Sequence, residues 1–482
     1  MVGLPDATVR ESRDRVRSAI RNSGFDFPPH RITVNLAPAD VRKAGSSFDL
    51  PIALGLLATS GPLTRPAVDD TVVVGELSLD GAINGVRGVL PIAIAARRLG
   101  LKRLLLPPQN AAEACVVGGL EVCTARSLPE AVAALNKPHE ASLAAPRPAP
   151  TPAAAIDGDL SDVRGQLLAR RALEVAAAGG HNLLLTGPPG AGKTMLARRV
   201  STILPPLTFD EALECTAIHS VAGTLPAGVG LLTHRPFRAP HHTISNVALV
   251  GGGGIPRPGE ISLAHNGVLF LDEMPEFDRR VLEVLRQPLE EGRVTIARAA
   301  RSAAFPARFV LVAAMNPCPC GFQGDDRRPC RCTPGQTARY RARLSGPLRD
   351  RIDLVVDVPA VPVEAMADGQ PGEASEPVRA RVCAARERQH RRYGPAGPRA
   401  NADLRGRAVA HICRPDADGK ALLHRAVERI GLSARGYDRV LKVARTVADL
   451  AGADGVTADH VAEALQYRLV ERGPGGETQG VT

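Results

Sequence analysis

A glycine-rich segment near the middle of the chain has the residue types and spacing of a phosphate-binding loop. It follows an apolar run, residues 183–185, and precedes a helical pattern that begins at Met195. The G-x-x-x-x-G-K-T spacing, between a strand and a helix, lets backbone N–H groups surround phosphate oxygens. We predict that the segment binds a nucleoside triphosphate, with Lys193 on the β/γ-phosphates and Thr194 on Mg²⁺. The residues of the loop are Gly187, Pro188, Pro189, Gly190, Ala191, Gly192, Lys193 and Thr194.

A second apolar run ends in two carboxylates. Residues 267–271 read Gly-Val-Leu-Phe-Leu, and Asp272 and Glu273 follow directly. This pattern predicts a Walker B strand, in which Asp272 holds Mg²⁺, directly or through water, and Glu273 orients and polarises the attacking water. Together with the phosphate-binding loop it predicts an enzyme that hydrolyses ATP, with ATP and Mg²⁺ as cofactors.

Four cysteines lie close together in a turn-rich part of the sequence. They are Cys318, Cys320, Cys330 and Cys332. Four thiols in one loop fit a tetrahedral Zn²⁺ site, although the C-x-C spacing is tighter than the usual one. Redox-active or free thiols, and inert packing, are the alternative interpretations at this stage.

The composition limits the class of protein. The chain has 482 residues, of which 44% are hydrophobic and 3% aromatic, and a formal net charge of +10. That length allows two or three domains with cores, and the charge permits contact with nucleic acid without establishing it. Because no run of 18 apolar residues and no signal pattern at the start are found, we predict a cytoplasmic protein without a membrane partner.

An α/β pattern precedes the phosphate-binding loop and resembles a known domain. Residues 42–51, together with two later segments around Gly81 and Asn110, look like the proteolytic domain of Lon-type proteases. That family cuts peptides with a Ser–Lys dyad. Ser47 falls at the position of the nucleophile, but Val89 stands where the lysine belongs. The resemblance implies a Lon-protease-like (S5-type) α/β domain that is proteolytically inactive. Because related chains begin with further strand residues, we expect either that the true start lies upstream or that the first strands of this domain are missing.

Three further residues resemble functional positions of AAA+ ATPases. An apolar strand pattern ends at Asn316, which matches the sensor that contacts the γ-phosphate or the lytic water. Residues 344–354 resemble the segment that carries the arginine finger, for which we assign Arg351, with Arg349 as the alternative. Arg435, near the start of a later helix, fits the second sensor. An arginine finger supplied by a neighbouring subunit implies that the working form is a ring.

The predicted fold class is α/β, an AAA+ P-loop NTPase core with a helical lid, preceded by the Lon-protease-like domain. The predicted boundaries are 1–136 for the Lon-like domain, 137–156 for a Pro/Ala-rich linker, 157–360 for the ATPase core, 361–472 for the helical lid and 473–482 for a disordered tail.

The order of these parts resembles the ComM/YifB family of magnesium-chelatase-like AAA+ ATPases. Two basic inserts, 235–260 and 292–308, match hairpins that project into the pore of a ring in that branch, and we predict both as hairpins outside the central sheet. The resemblance implies a homo-hexameric motor on single-stranded or branched DNA that does not read sequence and, in ComM members, promotes branch migration during transformation. A magnesium-chelatase motor subunit and a protein-remodelling ATPase remain alternatives.

Overall fold

The computed structural model describes residues 2–3, 6–38, 43, 45–63, 70–137, 141–144, 158–253, 256–298, 301–325, 328–360 and 371–469. Most of the predicted linker and all of the predicted tail lie outside the described residues. The chain forms two compact units, one of Met1–Ala153 with Thr208–His234 and one of Ala154–Leu207 with Arg235–Thr482. In the described residues no helix has both the length and the apolar character needed to span a bilayer.

The secondary structure alternates between helices and short strands. The helices are α1 (Ala7–Asn22), α2 (Asp49–Ser60), α3 (Val89–Arg98), α4 (Ala111–Ala114), α5 (Leu128–Asn136), α6 (Leu167–Gly179), α7 (Lys193–Ile203), α8 (Phe209–Ala222), α9 (Asn246–Val250), α10 (Glu260–Leu263), α11 (Arg279–Glu283), α12 (Arg286–Glu291), α13 (Pro334–Arg341), α14 (Gly346–Arg349), α15 (Ser375–Tyr393), α16 (Arg407–Ile412), α17 (Ala417–Ile430), α18 (Ala434–Leu450) and α19 (Ala458–Leu469). The strands are β1 (Thr71–Val73), β2 (Glu76–Leu77), β3 (Ile83–Asn84), β4 (Arg103–Leu106), β5 (Glu121–Thr124), β6 (Leu183–Thr186), β7 (Phe237–Arg238), β8 (Gly251–Gly252), β9 (Arg257–Pro258), β10 (Gly267–Leu271), β11 (Arg293–Arg298), β12 (Arg301–Pro306), β13 (Phe309–Met315) and β14 (Leu354–Asp357).

The first unit is built on a parallel sheet in the order β1-β4-β5. Successive residues of β4 point to opposite faces: Leu105 joins an apolar cluster with α1, α2 and α5, whereas Leu104 and Leu106 join one with α3 and α4. Both faces of a parallel sheet must be covered, which explains why β4 is apolar and buried from Leu104 to Leu106.

Helix α8 belongs to the first unit although it lies between two parts of the second in the sequence. Its N-terminus is closed by a capping box between Thr208 and Glu211. Near its C-terminus the Ser220 hydroxyl donates to Glu113 Oε2 over 2.6 Å, and the backbone N–H of Gly88 donates to the Ser220 carbonyl over 3.2 Å. The predicted ATPase core, 157–360, includes 208–234, whereas the structure packs this segment on α3 and α4.

The second unit contains a five-stranded parallel sheet in the order β14-β6-β13-β10-β7. Its strands are almost entirely buried, as continuous apolar runs in a covered parallel sheet should be. Leu183 and Leu185 face a cluster that includes α6, α7 and the lid helices α15–α19, and Leu184 faces a second cluster with α9–α14. The phosphate-binding strand β6 therefore lies inside the sheet, between β14 and β13.

The two predicted inserts differ in how far they leave the sheet. The second insert is confirmed as an antiparallel hairpin of β11 and β12, with its tip outside the described residues. In the first insert, β8 and β9 form a small antiparallel pair. The prediction that the whole first insert lies outside the sheet was wrong, because Phe237 and Arg238 form β7 and extend the sheet beside β10.

Candidate functional site

The phosphate-binding loop surrounds the ammonium group of Lys193. Gly190 and Gly192 adopt positive φ angles of 80° and 88°, which bend the chain between β6 and α7 at little cost for glycine. Lys193 Nζ donates to the carbonyl oxygens of Gly187 over 2.6 Å and Pro188 over 2.8 Å. Burial lowers the pKa of Lys193. The charges of Asp272 and Glu273 act in the opposite direction, but the net shift is downward.

The Walker B carboxylates lie beside this loop because β10 and β6 are both next to β13. The Thr194 hydroxyl donates to Asp272 Oδ2 over 2.6 Å, so the two predicted Mg²⁺ ligands face one another. The backbone N–H of Glu273 donates to Asp272 Oδ1 over 2.9 Å. Glu273 has a φ of 50°, which is uncommon for a residue other than glycine and marks a tight turn directly after the strand.

The predicted sensor Asn316 joins the same group. It follows β13, the strand between β6 and β10, and its Oδ1 accepts a hydrogen bond from Lys193 Nζ over 3.1 Å. A hydrogen bond joins its backbone to the hydroxyl of Tyr340. This bond lowers the pKa of Tyr340, but burial outweighs it and raises the pKa to about 12. Lys193, Thr194, Asp272, Glu273 and Asn316 thus lie together at the carboxyl edge of the sheet, where ligands bind in open α/β sheets.

A small pocket of about 280 Å³ opens beside the phosphate-binding loop. Its walls include Val163, Gln166, Ala191, Met195 and Leu196. Mostly apolar walls with a few polar groups suit a flat nucleobase. The sequence analysis did not identify this pocket, because it joins residues before β6 to residues of α7.

One residue near Glu273 was also missed as part of the site. Nδ1 of His242 lies 3.5 Å from Glu273 Oε2. The His242 ring lies against His241 in a tilted arrangement with centroids 4.1 Å apart, and it meets the edge of Phe277. Nothing in the order of the chain links either histidine to Glu273, so the sequence alone gives no signal for this contact.

Arg351 and Arg435 lie at the opposite edge of the sheet. Arg351 precedes β14, and its carbonyl oxygen accepts a hydrogen bond over 2.8 Å from the side chain of Asn182, which precedes β6. Four residues of β6 separate Asn182 from Gly187, so the two residues are about 16 Å apart along the strand. Nη1 of Arg435 is 3.8 Å from Asp350 Oδ2 on this same edge. Neither arginine therefore lies with the phosphate-binding loop of its own chain.

Both arginines line a cavity of about 710 Å³ at this amino edge. Arg351 pairs there with Glu290, and only 9% of its side chain is exposed. Arg439 pairs with Asp353 over 3.2 Å. The basic residues of the lining, Arg308, Arg351, Arg399, Arg405, Arg435, Arg439 and Lys442, outnumber its acidic residues, Glu290, Glu291, Asp353 and Asp403. Such a cavity suits a polyanion presented from outside the unit.

Arginines of the first insert have partners within the second unit. Arg238 forms a bidentate pair with Glu260, at 2.6 and 2.7 Å. Arg235 donates to the carbonyl oxygens of Pro205, Pro206 and Asn266. These contacts stabilise the insert, whereas Arg257 and Arg293 are exposed.

The four predicted cysteine ligands come together immediately after Asn316. Their sulfur atoms all lie within 4.8 Å of one another. The Sγ atoms of Cys318 and Cys320 are 3.4 Å apart, and each lies 3.6 Å from Sγ of Cys330. A tetrahedral zinc site with Zn–S bonds of about 2.3 Å has sulfur atoms about 3.8 Å apart, so this donor set fits the ion.

The surroundings of these thiols favour ionisation of one of them. Backbone hydrogen bonds from Phe322 and Arg331 lower the pKa of Cys320 to about 6. A backbone hydrogen bond from Cys320 has the same effect on Cys332, but desolvation and the neighbouring thiols outweigh it and raise the pKa of Cys332 to about 12. A bound cation would deprotonate all four, since metals bind the thiolate form.

In the first unit the dyad-lysine position supplies no amine. Val89 is fully buried at the start of α3, in an apolar cluster with Val74 and Leu104. Ser46, next to the candidate nucleophile Ser47, hydrogen-bonds to Glu76.

Comparisons with known proteins extend over most of the chain. Three family models match, described as magnesium chelatase, subunit ChlI, at residues 159–366, subunit ChlI of Mg-chelatase at residues 1–110, and magnesium chelatase, subunit ChlI C-terminal, at residues 372–468. The chain is 47% identical over 474 residues to the uncharacterized protein YifB of Escherichia coli K12, covering 98% of this chain and 92% of that one. It is 47% identical over 478 residues to the competence protein ComM of Haemophilus influenzae, with the same coverage.

A more distant likeness is confined to the N-terminal part. The chain is 33% identical over 118 residues to the Lon protease of Chloroflexus aurantiacus, covering 23% of this chain and 14% of that protein. This match agrees with the Lon-like fold expected from the segments around Ser47 and Asn110.

Proposed function

This chain belongs to the ComM/YifB family of magnesium-chelatase-like AAA+ proteins, and from that premise we propose that it is a cytoplasmic, ATP-hydrolysing motor that acts on DNA. Its action would be the migration of branched DNA during recombination of incoming strands. The relative named competence protein ComM supports this proposal, as do the exposed arginines of the two hairpin inserts.

The residues at the carboxyl edge account for ATP hydrolysis. Lys193 would exchange its carbonyl partners for phosphate oxygens, and Asn316 would donate its amide to the γ-phosphate or the attacking water. Glu273 would orient that water and accept its proton. Thr194 and Asp272 would hold Mg²⁺, which supplies charge neutralisation on the β- and γ-phosphates.

The observation that carries the motor proposal is the separation of these residues from Arg351 and Arg435. The two groups lie at opposite edges of one sheet, so an arginine that stabilises the transferring phosphoryl group would come from a neighbouring copy. A site completed between copies needs a heterologous interface, and such an interface forms a ring when the rotation between copies closes. We propose the homo-hexamer that the family resemblance implies, whose basic hairpins would grip a phosphate backbone without reading bases.

The cysteine cluster is the proposed site of a second cation. Four thiols within 4.8 Å of one another, to which the described residues add no carboxylate or imidazole, favour Zn²⁺ over Mg²⁺ or Ca²⁺. Metal analysis of the purified chain should find one zinc per chain, and Cys320→Ser with Cys332→Ser should remove it.

The motor proposal is tested by ATP-dependent branch migration on a synthetic three-strand or Holliday junction. The wild-type chain should move the branch point of the junction only with ATP, and Lys193→Ala should abolish both migration and ATP hydrolysis. Migration that survives Lys193→Ala, or ATP hydrolysis that DNA does not stimulate at low salt, would contradict the proposal.

The descriptions of the family models favour one second candidate, a motor subunit of magnesium chelatase. That function would require a large chelatase partner and a porphyrin substrate. It predicts ATP hydrolysis stimulated by such a partner and unaffected by branched DNA, so the same assay separates the two.

A further inference from the structure

The cysteine cluster is attached directly to the nucleotide site. Cys318 follows Asn316 with only Pro317 between them, and Cys318 is fully buried. The loop that bears the four sulfurs therefore begins where the sensor strand β13 ends. Any constraint on this loop is also a constraint on the position of the Asn316 side chain.

Gly321 makes the second connection, to the phosphate-binding loop. It is buried, with a φ of +86°, and a Cβ built on it would lie 2.7 Å from Cδ of Pro189 and 3.8 Å from Cγ of Asn316. The backbone of the cysteine loop thus packs closely against the P-loop proline and lies near the sensor side chain. Only glycine fits this contact without displacing one of them.

The far end of the loop is anchored as well. Cys332 leads into α13, whose N-terminus is closed by a capping box between Thr333 and Gln336. From this helix Arg341 donates to the Pro317 carbonyl over 3.4 Å and to Gln323 Oε1 over 3.2 Å. The loop is therefore joined to the sensor strand at both ends, and the sulfur atoms lie between the two attachments.

We propose that the four-cysteine site is a metal clamp for the ATP site: zinc bound to Cys318, Cys320, Cys330 and Cys332 holds Gly321 against Pro189 and Asn316. The clamp keeps the P-loop and the sensor in the arrangement that binds nucleotide. This inference rests on the proposed ATP-binding function and adds a dependence of nucleotide affinity on the metal. Four unligated thiols give the loop no covalent closure, and Gly321 then loses its fixed position.

The first experiment tests whether nucleotide affinity depends on the bound metal. Zinc content and the affinity for a fluorescent ATP analogue are measured on the full chain before and after treatment with a thiol-reactive mercurial and a chelator. We expect one zinc per chain and at least a tenfold loss of affinity on its removal, recovered when zinc is returned after the mercurial has been reversed with dithiothreitol. Circular dichroism checks that the stripped chain remains folded.

Two glycine variants then test the contact without touching any ligand. Gly321→Ala places a methyl group against Pro189, whereas Gly324→Ala has a similar φ of +80° and meets nothing within 4 Å. Both should keep their zinc, and both carry the backbone cost of alanine at positive φ. Only Gly321→Ala should weaken nucleotide binding, by about tenfold or more relative to Gly324→Ala.

The outcomes distinguish the failure of each idea. A wild-type chain that binds ATP but contains no zinc overturns the clamp and leaves the ATPase proposal standing. Equal nucleotide affinity in Gly321→Ala and Gly324→Ala, with zinc present in both, also overturns the clamp. A zinc-loaded chain that binds no ATP overturns the proposed function, and the clamp with it.

Discussion

The carboxylate of Glu273 is 55% exposed and lies within 3.5 Å of His242 Nδ1. A carboxylate engaged by a ring nitrogen is less available to a water molecule. We expect His242→Ala to raise ATP turnover in the absence of DNA by up to roughly fivefold, since an exposed contact of this kind is worth at most about 1 kcal/mol. Steady-state ATP hydrolysis, with and without DNA, measures the effect.

His241→Ala is the matched control for this prediction. It removes the ring that lies against His242 at 4.1 Å and leaves the contact with Glu273 in place. Its basal turnover should stay near that of the wild type. A fall in turnover of His242→Ala at unchanged ATP affinity would mean that His242 assists the reaction instead of restraining Glu273.

Which site residues the sequence could predict depends on whether their signal is local. Lys193 and Thr194 belong to one short motif, and Asp272 and Glu273 end one apolar strand, so spacing alone identifies them. His242 has no such signal, because its place beside Glu273 depends on the pairing of β7 with β10. The same holds for the cavity that Arg435 lines, which is formed by segments far apart in the sequence.

At the level of elements, a carboxylate before β14 is one of the links between the lid and the sheet. Asp353, just before β14, contacts His181 Nδ1 at 3.3 Å and Arg439 of α18 at 3.2 Å. Burial by itself raises the pKa of Asp353, but the hydrogen bond and charge of His181, with the charges of Arg439 and Lys442, bring it to about 2. The ionised form is thus the one that stabilises the fold.

The pH dependence of this anchor follows from the sign of the shift. The folded-state pKa lies below the ordinary 3.8, so the stabilisation is full above about pH 4 and is lost as pH falls towards 2. At pH 7 we expect Asp353→Asn to cost about 2 kcal/mol, at 1.36 kcal/mol for each pKa unit. Thermal unfolding should show a decrease in Tm of about 4–8 °C. Asp350→Asn, on the more exposed neighbour, should shift Tm far less, and equal shifts would contradict the anchor.

The first unit is connected to the rest of the chain at two places, through the segment 137–156 and through helix α8. The contact of Ser220 with Glu113 is buried, and Asn110 donates to the same carboxylate over 2.7 Å. If a protease site is introduced at residues 145–150 and cut, we expect the N-terminal piece to remain bound to the rest through α8. Native size-exclusion chromatography after cleavage gives the answer.

Glu113→Ala should release that piece more readily, because it leaves two buried donors without their acceptor, at about 1–3 kcal/mol each. Glu121→Ala, which removes an exposed pair with Arg103 on the same unit, serves as the control. If the N-terminal piece separates from the rest as soon as the chain with an intact Glu113 is cleaved, α8 does not hold it.

The sequence identified most of these elements and not their assembly. β6, β10 and β13 are long apolar runs, so their burial in a parallel sheet could be predicted from pattern alone. β7 has only two residues, Phe237 and Arg238, and too short a run to show any period. The packing of α8 on α3 is a long-range contact. Because α8 lies between α7 and β7 in the sequence, chain order predicts that it belongs to the ATPase core.

At the scale of the whole molecule, the distance between Lys193 and Arg351 predicts activity shared between copies. Each lies at a different edge of the sheet, so the P-loop of one copy would meet Arg351 of the next. Arg351→Ala alone should lower ATP turnover by roughly 10³–10⁵-fold, as arginine fingers do elsewhere. Arg349→Ala, the alternative finger, should retain most of the turnover.

Mixing variants tests this arrangement directly. Lys193→Ala copies retain Arg351, and Arg351→Ala copies retain Lys193, so each is inactive alone. In a ring assembled from equal amounts of both, about a quarter of the interfaces join an intact P-loop to an intact arginine. ATP turnover should therefore return to at most about a quarter of the wild-type level. Mixing either single variant with the Lys193→Ala/Arg351→Ala double variant should recover none. No recovery in the mixed ring, with assembly verified by light scattering, would mean that Arg351 of one copy does not complete the P-loop site of the next.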